Sequence, residues 1–221
     1  MSSSKALDSY RIVRGPMALD VTDHSYVPNV VPAASQCIYT ACYCEENVWK
    51  LAAYVKEKCS LKESSKCYCV FISNKSKKIP LWRQKASKDA DRLVVWDYHV
   101  ILVYHEGRES LVFDLDTELS FPCTMKEYAT ACIGDERTLK EEYRRMFRVI
   151  PVEEFLSTFA SDRSHMVNEK GEWLAPPPQY PPISCNHSTN NIEEFISMSS
   201  DFKHGQVFNL SAFLEKFQVK L

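Results

Sequence analysis

Three residue types that together can attack an unactivated amide occur in this chain: a thiol at Cys44, an imidazole at His99 and a carboxylate at Asp114, with Asp116 two residues further on. A carboxamide is a poor electrophile. Breaking it takes a thiolate to attack the carbonyl carbon, an imidazolium to protonate the departing nitrogen, and donors for the tetrahedral oxyanion. A carboxylate behind the imidazole holds its tautomer and stabilises its charged form. Each residue also has an ordinary reading. A cysteine is usually a small core hydrophobe, a histidine in an apolar strand is usually a satisfied core residue, and aspartates at a strand end are usually turn residues. Glu45 and Glu46, next to the thiol, oppose its ionisation. A helix N-terminus offers only ~0.3–1 kcal/mol against them, whereas a paired imidazolium can bring a thiol to a pKa of ~3–4. A reactive Cys44 therefore requires His99.

The elements that must position these groups are legible from periodicity. From Cys44, the segment CEENVWKLAAYVKEKC places Val48, Leu51, Ala52 and Val55 on one helical stripe, with acids in the first turn. The thiol thus stands at a helix N-terminus. After the polar break LKESSK come short runs of β-branched and aromatic residues at 67–73, 79–82, 92–105 and 110–117, which read as strands. The last two are joined by EGRE. A two-residue turn at Glu106-Gly107 would set His99 directly opposite Asp114. Asp97 and His99 share a strand face by the two-residue period. Thr124 with Glu127 has the form of a capping box opening a helix through Ile133, a charged helix is expected over 136–147, and another from Pro151. Residues 161–190 keep no period and include APPPQYPP, which should be extended. Asn191 with Glu194 can cap a short helix, and a strand and helix close the chain. The expected fold is α+β, with the Cys44 helix packed on an antiparallel sheet. Residues 1–34 read as an N-terminal arm and 35–221 as one domain.

Composition narrows the remaining possibilities. A net charge of -2 with both signs interspersed gives no field for polyanions, so neither nucleic acid nor a membrane surface is an expected partner. No apolar run approaches the length of a membrane span, and the N-terminus lacks the apolar stretch of a secretion signal. Nine cysteines, an odd number at irregular spacing, read as reduced thiols in a cytoplasmic protein with access to the nucleus. The pairs Cys42/Cys44 and Cys67/Cys69 offer four sulfurs, but C-x-C in a strand simply puts two small side chains on one face. The five glycines are too scattered for a phosphate-binding loop, and H-E-x-x-H and G-x-S-x-G are missing.

The segments CYCEENVWKL (42–51), FISN (71–74), IPLW (79–82), VVWDYHV (94–100), FDLDTELSFPC (113–123), FRVIPVEEFLSTFASDRSHM (147–166) and PPPQYPPI (176–183) resemble the protein N-terminal glutamine amidohydrolase family. The resemblance implies a core and catalytic arrangement like those of papain and the transglutaminases. It implies Cys44 as nucleophile, His99 as the histidine and Asp114, over Asp116, as the acid. It also implies conversion of N-terminal Gln to Glu with release of ammonia, feeding the arginylation branch of the N-degron pathway. Protein and peptide substrates with N-terminal Gln are the implied partners of a monomer, and neither a metal nor an organic cofactor is implied. A pocket for a chain end needs an anionic wall for the α-ammonium. Glu45, Asp97 and Asp116 are candidates for that wall, and Trp96 and Tyr98 for packing the substrate. Two readings compete: a transglutaminase or peptidase using the same three groups, and a non-catalytic module recruited through PPPQYPP.

Overall fold

The computed structural model describes residues 30–220, so most of the expected arm lies outside the described residues. Val30 and Val31, near its end, are buried in the core. The elements run α1 (Cys44–Lys58), α2 (Leu61–Ser64), β1 (Cys67–Ser73), β2 (Ile79–Leu81), β3 (Val94–Trp96), β4 (His99–Glu106) and β5 (Glu109–Phe113). There follow β6 (Cys123–Thr124), α3 (Met125–Tyr128), β7 (Met146–Pro151), α4 (Val152–Thr158), α5 (Ile192–Ile196), β8 (Gln206–Asn209) and α6 (Leu210–Lys216). Six strands form an antiparallel sheet in the order β6-β5-β4-β1-β7-β8, and β2 pairs with β3 in a separate two-stranded sheet.

The α+β expectation is met, and alternation in the central strands explains why. In β4, Val100, Leu102 and Tyr104 face the layer of α1, α4 and α5, while Ile101 and Val103 face that of α3 and α6. Both faces are covered, so β4 is apolar almost throughout. The stripe Val48, Leu51, Ala52 and Val55 is buried against that first layer, each large aliphatic side chain worth ~1.5–3 kcal/mol of burial. Cys67 and Cys69 lie fully buried on the same face, which accounts for one C-x-C pair as packing.

Several local expectations are corrected. The run 92–105 is two strands broken at Asp97-Tyr98, so Asp97 shares no strand face with His99. The β4–β5 turn is Gly107-Arg108, with Glu106 paired to Glu109, because Gly107 at φ +61 takes the first turn position. The ladder is displaced by one residue on each strand, and His99 is not directly opposite Asp114. That displacement preserves which side chains share a face, and the two residues become diagonal neighbours beyond the ladder's end at Phe113. The helix expected over 136–147 is instead two 3₁₀ turns, Glu136–Thr138 and Glu141–Tyr143, followed by β7, since Phe147, Val149 and Ile150 are needed in the sheet. The polar break contains α2, opened by a Ser60/Glu63 capping box. Thr124 accepts from Glu127 N as expected, and Pro151 is the N-cap of α4 rather than its first residue. Asn191 precedes α5 without capping it; its side chain bonds Ala160 N and Thr158 O instead.

Candidate active site

Cys44 is the first residue of α1, and the N-cap Tyr43 supplies no side-chain acceptor. The Cys44 N–H, in the first turn, has no intrahelical acceptor and no other backbone partner among the described residues. Asn47, in the same turn, bonds both N and O of Thr40 at 2.8 and 2.9 Å and so fixes the approach to the helix. Burial and then the Glu45 carboxylate push the Cys44 thiol well above the ordinary range, with a backbone hydrogen bond at Val100 pulling the other way.

His99 opens β4 and is 1% exposed. Its Nε2 lies 3.1 Å from Asp114 Oδ2, somewhat off the N–H axis, so the contact is closer to an ion pair than to a linear hydrogen bond. Asp114 is fixed from two other sides, by Tyr128 OH at 2.9 Å and by Asp116 N at 2.9 Å. Burial alone would neutralise this pair. Charge wins: the Asp114 carboxylate raises His99 above the usual histidine range despite desolvation, and His99 with the two donors lowers Asp114 below the usual aspartate range. Trp96 stacks on the imidazole at 5.9 Å and 18°, its own Nε1 held by Gln84 Oε1 at 3.1 Å. Asp116 accepts from Tyr39 OH at 2.6 Å, and burial raises its pKa.

Cys44 and His99 line one cavity of about 170 Å³ together with Trp96, Asp97, Tyr98 and Asp116. Of the substrate-binding candidates, Glu45 alone does not line it. Glu45 is fully buried behind the wall, where its Oε2 accepts from Tyr98 OH at 2.9 Å and burial raises its pKa to about 7. The far wall comes from His165, Met166, Leu174, Glu193 and Ile196, with Lys77 and Cys42 at the margin. Residue spacing gave no sign of these. The motif ending in SHM (164–166) carried the signal for His165 and Met166, without a role.

The strap that delivers this wall is tied to α1. Arg163, at φ +66, donates to both oxygens of the buried Glu46 at 2.7 and 2.8 Å and to Pro178 O at 3.2 Å. Tyr43 OH reaches Ala175 O at 3.1 Å, and Lys50 Nζ sits 3.8 Å over the Tyr180 ring. The proline-rich stretch is thus bound down against the helix that carries Cys44. Among the described residues, His99, Asp114 and Asp116 place ligand atoms within 4.8 Å of one another and are where a cation would find donors. Two of these three already neutralise each other. No helix among the described residues is long and apolar enough to cross a membrane.

A thiol on a helix N-terminus, sharing a small cavity with a histidine that is ion-paired to a carboxylate, has the groups of thiol-dependent enzymes that cleave amides. Comparison with known proteins narrows the class. The family model for N-terminal glutamine amidase matches residues 39–217, and the chain belongs to that family. It is 47% identical over 195 residues to the protein N-terminal glutamine amidohydrolase of Danio rerio, covering 86% of this chain and 94% of the relative. The proteins of that name from Drosophila melanogaster and Drosophila grimshawi are each 46% identical over 187 residues, covering 84% of this chain and 91% of theirs.

Proposed function

We propose that this chain hydrolyses the side-chain carboxamide of an N-terminal glutamine to glutamate and ammonia, with Cys44, His99 and Asp114 as its catalytic residues. The observation that carries the reading is the family match over residues 39–217, within which Cys44 and His99 line one cavity and Asp114 pairs with His99. Residues 35–221 act as one catalytic domain with a core like that of papain and the transglutaminases.

The thiol is held high by burial and by Glu45, so the thiolate forms as its proton passes to His99, which Asp114 makes a better base. Cys44 Sγ then bonds to the carboxamide carbon. The oxyanion accepts from the Cys44 N–H, which has no intrahelical acceptor. Collapse expels the nitrogen, which takes the proton from His99 and leaves as ammonia, with the acyl group on sulfur as a thioester. Water, deprotonated by the same imidazole, attacks the thioester, and glutamate departs with the thiol restored. Trp96 keeps the ring in plane through these transfers, and Asp114 keeps one tautomer.

Asp97 and Asp116 supply negative charge on the cavity wall for the α-ammonium of the substrate. Glu45 acts through Tyr98, not as a direct contact. The glutamate product would feed arginylation in the N-degron pathway. Purified chain should release ammonia from a Gln-initiated peptide and not from one with internal Gln, and Cys44→Ala should abolish release while melting like the parent. Amine incorporation or backbone cleavage instead would assign the site to a transglutaminase or a peptidase. Activity surviving in Cys44→Ala would overturn the mechanism.

A further inference from the structure

Tyr98 and Glu45, both buried, and the partly buried His165 form a second cluster, whose imidazole has no part in the reaction as written. Tyr98 OH has one proton and donates it to Glu45 Oε2 at 2.9 Å. Its oxygen, 3.3 Å from His165 Nε2, is therefore left to accept, and Nε2 must carry a hydrogen. Glu45 Oε1, 3.7 Å from the same nitrogen, draws the proton to the same side. In a neutral ring this fixes Nδ1 as the lone-pair nitrogen. Nδ1 is buried and has no partner among the described residues, although the ring lines the cavity. An acceptor in that condition is an unmade hydrogen bond awaiting a donor.

The donor the surroundings favour is a cation. Asp97 and Glu193 line the same cavity, and their negative charge, with that of Asp162 and Glu46, bears on the His165 ring. Lys77 already answers Glu193 at 2.7 Å, which leaves Asp97 and the His165 nitrogen for an incoming group. An α-ammonium has three N–H donors and needs several acceptors, one of which can be neutral. Burial keeps the imidazole neutral, below the usual histidine range, and so able to accept.

We propose that His165 is a specificity-determining residue that reads the free N-terminus of the substrate, accepting an α-ammonium N–H at Nδ1 while Tyr98 and Glu45 fix its tautomer. The inference rests on the N-terminal glutamine reading above. The test compares a Gln-initiated tetrapeptide with the analogue in which hydrogen replaces the α-amino group, using the full chain and three variants. The parent should favour the amine-bearing peptide in kcat/KM. His165→Phe should shrink that preference by about 10- to 100-fold, the range of one hydrogen bond to a charged group, mainly through KM. His165→Asn sets an amide oxygen near the Nδ1 position and should recover part of the preference. His165→Gln reaches only toward the Nε2 position and should not. Should the Phe variant fail to fold, the Asn and Gln variants carry the comparison. A preference unchanged in folded His165→Phe, or restored by Gln and not by Asn, would overturn the proposal. Absence of ammonia release by the parent would instead overturn the N-terminal glutamine reading itself.

Discussion

Replacing Asp114 by Asn removes one charge and almost no volume, yet the site offers the amide no comfortable orientation. At the Oδ2 position, Asp114 receives Tyr128 OH and faces His99 Nε2; at Oδ1 it receives the backbone N–H of Asp116. If the amide nitrogen takes the Oδ2 position, it donates toward His99, Nε2 becomes an acceptor and the ring proton moves to Nδ1. Nδ1, already protonated, can then no longer accept the proton of the thiol. If it takes the Oδ1 position, it meets a backbone donor that cannot rotate, at a penalty of ~1–3 kcal/mol for an unmade buried bond. Both orientations lose the charge that holds His99 up against desolvation. The expected result is a fall in kcat of ~10³–10⁴-fold, the scale seen when a triad histidine is left in the wrong tautomer, with KM little changed. Ammonia release at pH 7 gives the rate. Proton NMR titration in a Cys44→Ala background follows His99, whose pKa should drop below the usual histidine range. A loss of less than tenfold, with the His99 titration unmoved, would refute the assignment of Asp114.

Glu45 gives a prediction for stability against pH. The folded chain holds its proton to a pKa of about 7, whereas the unfolded chain releases it near ~4.3. Between those values the folded state binds more protons, so stability falls as pH rises through the window, and the full penalty stands above it. Glu45→Gln should therefore match the parent near pH 4 and exceed it by about 4 kcal/mol well above pH 7; urea unfolding at pH 5 and 8 that shows equal differences would contradict this. Arg163→Met strands the buried Glu46 carboxylate and should destabilise by about 3–5 kcal/mol. The double variant Glu46→Leu/Arg163→Met should regain at least half of that in the same measurement, and no regain would mean that the pair is not the reason.

Cys44, His99 and Asp114 were easier to single out in the sequence than the cavity near them. The stripe from Val48 to Val55 determined both α1 and the place of Cys44, because a buried helix face imposes its own period. The β4–β5 hairpin was legible as a hairpin, but EGRE admits two turns, and the one adopted puts Gly107 at the first turn position with φ +61. The charged segment 136–147 has helical propensity that the sheet overrides by claiming Phe147 and its neighbours for β7. His165 and Leu174 carry no periodic pattern that marks them, since their positions depend on a strap whose path is set by Arg163, Tyr43 and Tyr180. Glu45 shows the converse. Its type suited an amine partner, but its position in the first turn of α1 points it into the protein, toward Tyr98.

The bond between Glu46 and Arg163 spans 117 positions of chain, and this bears on how the protein acquires activity as it folds. The thiol sits on α1, the imidazole on β4, and the opposite wall arrives only with residues 165–196. Contacts of such separation form late, because loop closure must precede any return from the contact. A refolding chain should thus regain the signal of its sheet before it regains turnover. Turnover should appear together with protection of the 161–183 strap from proteases, so that the active site itself reports completion of the fold.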